Sequence, residues 1–243
     1  SGDIRNPADV ALALQNATNV FHLARAPGGT WNDYYQQDVL GTRLLGEKCI
    51  SHGIRRVVYV SSIVAYNTGG RRVITENTPF DRAICRQNKY ARAKAEAEQC
   101  LMCLHENDGL PVVIVRPGMV IGKGGDLCHG GIGTWNGPGA CVLWGNRDNK
   151  LPLVLVEDVA RGLVVAMNAD GAEGQSFNLV ADPCLSAREY LQEIERFAGI
   201  SIRVFHQPVW SAFGTDVCKW LAKMALRMPD RCVPRYRVWR SRT

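Results

Sequence analysis

The chain has 243 residues, 46% of them apolar, enough for one sizeable domain or a domain with a small lobe, and no apolar run approaches the ~18 residues that span a bilayer. The formal charge of +6 is localised: residues 219–243 hold eight basic residues and one acid, so the rest sums to about −1 and carries no general footprint for nucleic acid. Nine scattered cysteines and an amino end without a secretory signal pattern imply reduced thiols in a cytoplasmic setting.

The chain opens with Gly2-Asp3, and Val10, Leu12 and Leu14 predict a short surface helix. Asn19 to Ala24 predicts a short strand ending in His22-Leu23-Ala24. From Trp31 to His52, apolar residues at Tyr35, Val39, Leu40, Leu44 and Leu45 predict one amphipathic helix, with Asp38 near its middle and Gly53 as its C-cap. The β-branched run Arg56 to Val60 reads as a buried parallel strand and ends abruptly in Ser61-Ser62. Ligands of open α/β sheets bind off the carboxyl ends of the strands, so these hydroxyls fall where a substrate lies. The polar stretch that follows, with Asn67–Gly70 and Thr75–Pro79, reads as loop.

Tyr90-Ala-Arg-Ala-Lys94 then opens a long alanine-rich helix. Positions i and i+4 share a helix face, and an ammonium there favours phenolate over phenol, so Tyr90 and Lys94 form a candidate proton-transfer pair. Cys100 and Cys103 fall inside the same helix, with no second pair and no suitably spaced histidines, so no metal site is assigned. Pro111 to Val115 reads as a second buried strand, ending in Arg116-Pro117-Gly118. Two glycine-rich stretches, Gly122 to Gly133 and Gly137 to Gly145, read as a flexible segment, either a variable substrate loop or a plain connector.

Leu153 to Ala160 predicts a strand running into a helix with Glu157 and Asp158 in its first turn, where the dipole favours acids. Gln175 to Val180 reads as a strand, Ser186 to Ala198 as a helix opened by a serine cap with Glu189 three residues on, and Ile202 to Phe205 as a strand. A last helix, about Trp210 to Met228, carries Trp210, Phe213, Val217, Trp220, Leu221 and Met224 on one face, a stripe that suits core or a lobe interface. The basic carboxyl end is read as a solvated terminus, with phosphate contact as the alternative.

Strand, Ser-Ser, helix with Tyr-x-x-x-Lys, strand, Arg-Pro-Gly is an ordered constellation. In it the sequence resembles the extended short-chain dehydrogenase/reductase superfamily, in its NAD-dependent epimerase/dehydratase branch. The resemblance implies an α/β protein: a Rossmann-like doubly wound parallel sheet lacking its N-terminal strands, with a smaller C-terminal substrate lobe. Residues 1–118 would form the partial NAD(P)-binding domain, and residues 119–243 mainly the substrate lobe, with segments returning to the sheet. By the same resemblance Tyr90 is the acid/base, Lys94 bonds the nicotinamide ribose and lowers the Tyr90 pKa, and Ser62 orients the substrate oxygen. His22, Leu23, Ala24 and Ser61 would line the cofactor cleft, and Pro117 and Gly118 would border the nicotinamide.

The implied cofactor is NAD or NADP, and the implied activity is epimerase/dehydratase-type hydride chemistry on a sugar nucleotide or similar hydroxyl/carbonyl substrate. A carbonyl or hydroxysteroid-type reductase, or a non-catalytic dinucleotide-sensing relative, are the alternatives. Family members pair two helices, here residues 31–52 and 86–107, around a two-fold axis, so a homodimer is expected. The sequence departs from the family pattern in four places: Asp38 stands where an asparagine is usual, Leu155 where histidine is usual, no Leu-Gly-Trp segment follows Trp239, and no strand-to-helix glycine turn precedes the first strand. The last two departures lead us to expect an internal piece of a longer protein, and the missing turn one that is inactive and weak in dinucleotide binding as given.

Overall fold

The two β-branched runs become the centre of a parallel sheet. The computed structural model describes residues 2–66, 73–80, 88–137, 139–144, 147–228, 233–234 and 236. Two compact units are present, one of residues 1–67, 75–118 and 157–179, the other of residues 68–74, 119–156 and 180–243.

In the first unit, α1 (Pro7–Leu14) starts at Asn6, whose side chain accepts from Ala8 N, with Pro7 in the first turn. Strand β1 (Asn19–His22) leads to α2 (Trp31–Tyr34), opened by a reciprocal Thr30–Asp33 capping box. A π-helical segment, Tyr35–Leu40, then joins α2 to α3 (Gly41–Ser51). The predicted single helix is therefore broken: the wider π turn re-aims the side chains around Asp38. Strand β2 (Arg56–Val60) is followed by a 3₁₀ turn, Ile63–Ala65, and α4 (Lys89–Asp108) runs from an Asn88 cap to Gly109 at φ 71°. Strand β3 is Val112–Pro117.

The chain then enters the second unit through β4 (Met119–Ile121), β5 (Gly133–Trp135), β6 (Ala140–Trp144) and β7 (Leu153–Leu155). It returns along α5 (Val156–Asn168) to β8 (Ser176–Leu179), and ends with α6 (Ala187–Ala198), β9 (Arg203–Gln207) and α7 (Val209–Ala225). The first sheet has the order β1-β2-β3-β8, parallel throughout, with His22 opposite Tyr59 and Val60 opposite Val115. Val57, Val112 and Ile114 pack with Val10, Leu14, Cys49, Ala97 and Leu101 in its core, where each large side chain contributes about 1.5–3 kcal/mol over exposure.

Leu44, Leu45 and Leu104 also pack against this core, so much of the apolar stripe on α3 and α4 is used within the chain. Close approach of the two helices requires Gly46, where a Cβ would lie 2.7 Å from a Leu104 methyl carbon.

The second unit has β4 parallel to β7, and β5 antiparallel to β6, which runs parallel to β9. Its core joins Ile132, Cys141, Leu143 and Leu153 to Tyr190, Leu191 and Ile194 of α6, a helix opened by the Ser186–Glu189 capping box. The glycine-rich stretch is thus not wholly a flexible loop. At Gly133 a Cβ would meet Val142 O at 2.4 Å, so glycine there permits strand pairing. The α7 stripe differs from expectation too: Trp210, Leu221 and Met224 are exposed by 70%, 51% and 44%. Asn67–Gly70, residues 86–87, Gly145 and most of the basic end lie outside the described residues.

Candidate active site

Because β1, β2 and β3 are adjacent and parallel, their carboxyl ends lie along one edge of the first sheet. That edge carries His22 at the end of β1 with Leu23 and Ala24 after it, Ser61 and Ser62 after β2, and Pro117 and Gly118 at the end of β3. Ser61 is buried, with its amide bonded to Val115 O at 2.8 Å. Ser62 caps the following 3₁₀ turn, accepting from Val64 N at 3.3 Å. Gly118 N donates to Leu179 O at 2.9 Å, tying the end of β3 to β8.

Helix α4 brings Tyr90 and Lys94 to this edge. Lys94 is 3% exposed; its Nζ donates to Val60 O at 2.8 Å and lies 4.8 Å from the Tyr59 ring centroid and 5.9 Å from that of Tyr90. Burial lowers the Lys94 pKa to about 8, against the opposing charges of Asp38 and Glu98. Burial raises the Tyr90 pKa, opposed first by a hydrogen bond with Ser62 and then by the positive charge of Arg25. His22 is buried and bonded to Thr42 Oγ1 at 2.8 Å; desolvation, then the Lys94 charge, pulls its pKa to about 3 and keeps it neutral.

Two further groups lie near these residues: Asp38, noted in the sequence as standing where an asparagine is usual, and Arg25, which the sequence reading did not single out. Asp38 projects from the π-helical segment into the interior, 3% exposed, and accepts from Ala26 N at 2.5 Å through Oδ1, while Oδ2 has no hydrogen-bond partner among the described residues. Burial raises its pKa, so the carboxyl holds a proton more readily, and a protonated Oδ2 would donate as an asparagine amide does. Arg25 follows Ala24 directly, and its charge acts on Tyr90, Lys94 and Asp38. The sequence signal for both was their neighbourhood: Asp38 in mid-helix, and Arg25 just past a strand's carboxyl end.

Beneath the site, Arg116 on β3 makes a buried bidentate pair with Glu98 on α4, at 2.6–3.1 Å. It also donates to Tyr66 OH at 2.5 Å and to Glu76 O at 3.4 Å, and Tyr66 OH donates to Asn178 Oδ1 at 2.7 Å. Glu76 in turn accepts from Asn178 N at 2.9 Å, so the Thr75–Pro79 segment is fastened to the sheet.

A parallel sheet with helical crossovers and hydroxyls at its carboxyl edge defines a Rossmann-type α/β protein. The sequence model of the NAD dependent epimerase/dehydratase family matches residues 1–179, and the chain belongs to that family. It is 28% identical over 178 residues to 3beta-hydroxysteroid-dehydrogenase/decarboxylase isoform 2 of Arabidopsis thaliana, covering 72% of this chain and 31% of that protein. With the UDP-glucose 4-epimerase of Vibrio cholerae it shares 27% over 202 residues, 79% of this chain and 61% of the relative. The crystal structure of UDP-glucuronic acid 4-epimerase from Bacillus cereus in complex with NAD superposes with TM-score 0.72 at 21% identity, over 85% of this chain and 68% of that one. The chain spans 31%, 52% and 40% of the lengths of three curated relatives it matches.

The family is NAD(P)-dependent, and the hydrogen-bonding groups at this edge are of a kind that suits such a cofactor. Tyr59 OH, Ser61 Oγ and Asp38 Oδ2 are buried without a hydrogen-bond partner among the described residues. Lys94 has three donors, and its bond to Val60 O uses one. Among the described residues no helix is long and apolar enough to cross a membrane.

Proposed function

We propose that this chain carries the acid/base half of an NAD(P)-dependent enzyme that interconverts a secondary alcohol and a ketone, with Tyr90, Lys94 and Ser62 as its catalytic residues. The observation that supports the reading is the convergence of Lys94 on Val60 O and of Tyr90 on Ser62, at the end of a single strand. A nicotinamide held here would supply the hydride chemistry, as acceptor from the alcohol carbon in one direction and donor to the carbonyl carbon in the other. Tyr90 takes the hydroxyl proton in the oxidative direction and gives it back in the reductive one. Ser62 hydrogen-bonds both the Tyr90 phenol and the substrate oxygen. Lys94, cationic below about pH 8, holds the cofactor ribose and stabilises the phenolate. His22 to Ala24, Ser61, Pro117 and Gly118 line the cleft.

The finer reading is epimerase/dehydratase-type chemistry on a sugar nucleotide or a similar substrate, supported by the relative from Vibrio cholerae. A carbonyl or hydroxysteroid-type reductase is the second reading, favoured by the Arabidopsis relative. A purely sensing role is disfavoured, because sensing has no need of the acid/base pair. We read the second unit as the substrate lobe and the working form as a cytoplasmic homodimer.

In the full-length protein, Tyr90→Phe is expected to lower turnover at least ~100-fold with little change in cofactor affinity, since general acid/base catalysis is typically worth ~10²–10⁴. Lys94→Ala should impair both. Steady-state kinetics and NADH titration, using UDP-glucose and a 3-hydroxysteroid as trial substrates, check this; near-normal turnover of Tyr90→Phe would remove Tyr90 from its role.

A further inference from the structure

We infer that Arg25 is a substrate-anchoring residue of this site, and that the group it takes is a carboxylate carried close to the reacting carbon. The inference rests on the assignment of Tyr90 as the acid/base and deepens it.

The first support is position. Leu23, Ala24 and Arg25 leave the carboxyl end of β1 exposed, on the edge that also carries Ser62 and Pro117. The loop is pinned there at three points. Ala26 N donates to the buried Asp38 at 2.5 Å, Lys89 Nζ donates to Gly29 O at 3.3 Å, and the Arg92 guanidinium lies 3.7 Å from the Trp31 ring centroid. Lys89 and Arg92 flank Tyr90 on α4, so two pins fall on the same helical turn as the proposed acid/base. An exposed arginine elsewhere samples many directions; this one springs from backbone fixed beside Asp38.

The second support is that Arg25 makes no hydrogen bond or ion pair among the described residues. Asp38 is not its mate, since that carboxyl is buried and already accepts from Ala26 N. Asp33 is occupied by Thr30. The third is electrostatic: the Arg25 charge acts on Tyr90, Lys94 and Asp38, and it opposes the ammonium form of Lys94. An exposed cation with no ion-pair partner among the described residues favours an incoming negative group. A planar guanidinium suits a carboxylate in particular, because its parallel N–H donors match the two oxygens. A 3-oxo or 3-hydroxy acid sets a carboxylate two bonds from the reacting carbon, and a uronic-acid sugar sets one on the ring; both present the same chemistry.

The side-chain Nε–H resonance of Arg25, assigned by its loss in Arg25→Gln, provides the test in the full chain without cofactor. Acetoacetate and glucuronate are titrated beside their uncharged methyl esters and beside inorganic phosphate. A saturable shift with one or both acids, absent with the esters and retained in Tyr90→Phe, is expected, and which acid responds distinguishes the two sources. With substrate turnover in hand, Arg25→Gln should raise KM for the acid about tenfold or more and leave the ester unchanged, as loss of one charge-assisted contact predicts, with Arg25→Lys partly restoring it. A response to phosphate alone, equal responses to acid and ester, or no response would overturn the inference. A Tyr90→Phe enzyme of normal turnover whose Arg25 resonance still follows the acids would instead overturn the acid/base assignment and leave the anchor standing.

Discussion

His22 shows how burial turns a single residue into a pH-dependent term in stability. In the folded chain its pKa falls to about 3, whereas in an unfolded chain it lies near 6.5. The unfolded state therefore binds the proton first as pH falls, so the His22 contribution is fully present above about pH 6.5 and is lost toward pH 3. The expected slope is about 1.4 kcal/mol per pH unit below ~6. Lys94 also has a lowered pKa, but its window lies between the ordinary 10.5 and about 8, so the two do not overlap. Urea midpoints measured between pH 7.5 and 5 should fall for the native chain and fall less for His22→Gln. Equal slopes would show that His22 titrates normally in the fold. Of the residues proposed for the site, Tyr90 and Lys94 drew notice in the sequence because i,i+4 spacing fixes a shared face and the flanking strands end in Ser61-Ser62 and Arg116-Pro117-Gly118. Arg25 was not, since an exposed arginine looks like any solvated one until Ala26, Gly29 and Trp31 are seen to pin its loop. Asp38 was noticed as a departure, but its burial depends on the π turn, which leaves no mark in the apolar spacing.

Between elements, the Arg116–Glu98 pair locks β3 to α4, and through Tyr66 and Glu76 it also holds the segment after Ser62. Both partners are almost wholly buried, with side chains 7% and 2% exposed, so removing one strands a charge that water cannot reach. Arg116→Met is expected to cost about 3–5 kcal/mol, and Glu98→Gln a similar amount, in urea unfolding. The double variant should lose clearly less than the sum, because neither charge is then left alone. Simple additivity would mean that the pair contributes by packing, not by charge. The strands on either side of this lock were legible, because β-branched runs that end in turn residues have few other readings. The strands β5 and β6 were not. Glycine reads as punctuation in a sequence, yet Gly133 is a pairing residue whose missing Cβ lets Val142 approach, and the partner that requires it lies nine residues on.

For the molecule as a whole, the open question is whether two copies associate. The sequence pointed to apolar stripes on the helices of residues 31–52 and 86–107, but Leu44, Leu45, Leu101 and Leu104 pack into the chain's own core. What remains outward includes the Arg43–Glu47 and Arg92–Glu96 pairs, with Cys103 exposed and Met102 half-buried. Each such i,i+4 pair is worth only about 0.3–0.5 kcal/mol within its helix, so the Arg43–Glu47 charges in particular can also serve a second copy. An isologous contact brings the same patch to itself, and alternating charges along a helix can meet their opposites when the copy runs antiparallel. A homodimer through α3 and α4 therefore predicts a light-scattering mass of twice 26.8 kDa that dissociates at high salt. Arg43→Glu, which leaves the Arg92–Trp31 contact in place, puts two acids on that turn of α3 and should shift the low-salt equilibrium toward monomers with little change in the melting temperature of each folded copy. A native chain that scatters as a monomer at tens of micromolar would remove α3 and α4 as the interface, and would show that their apolar stripes serve the core alone.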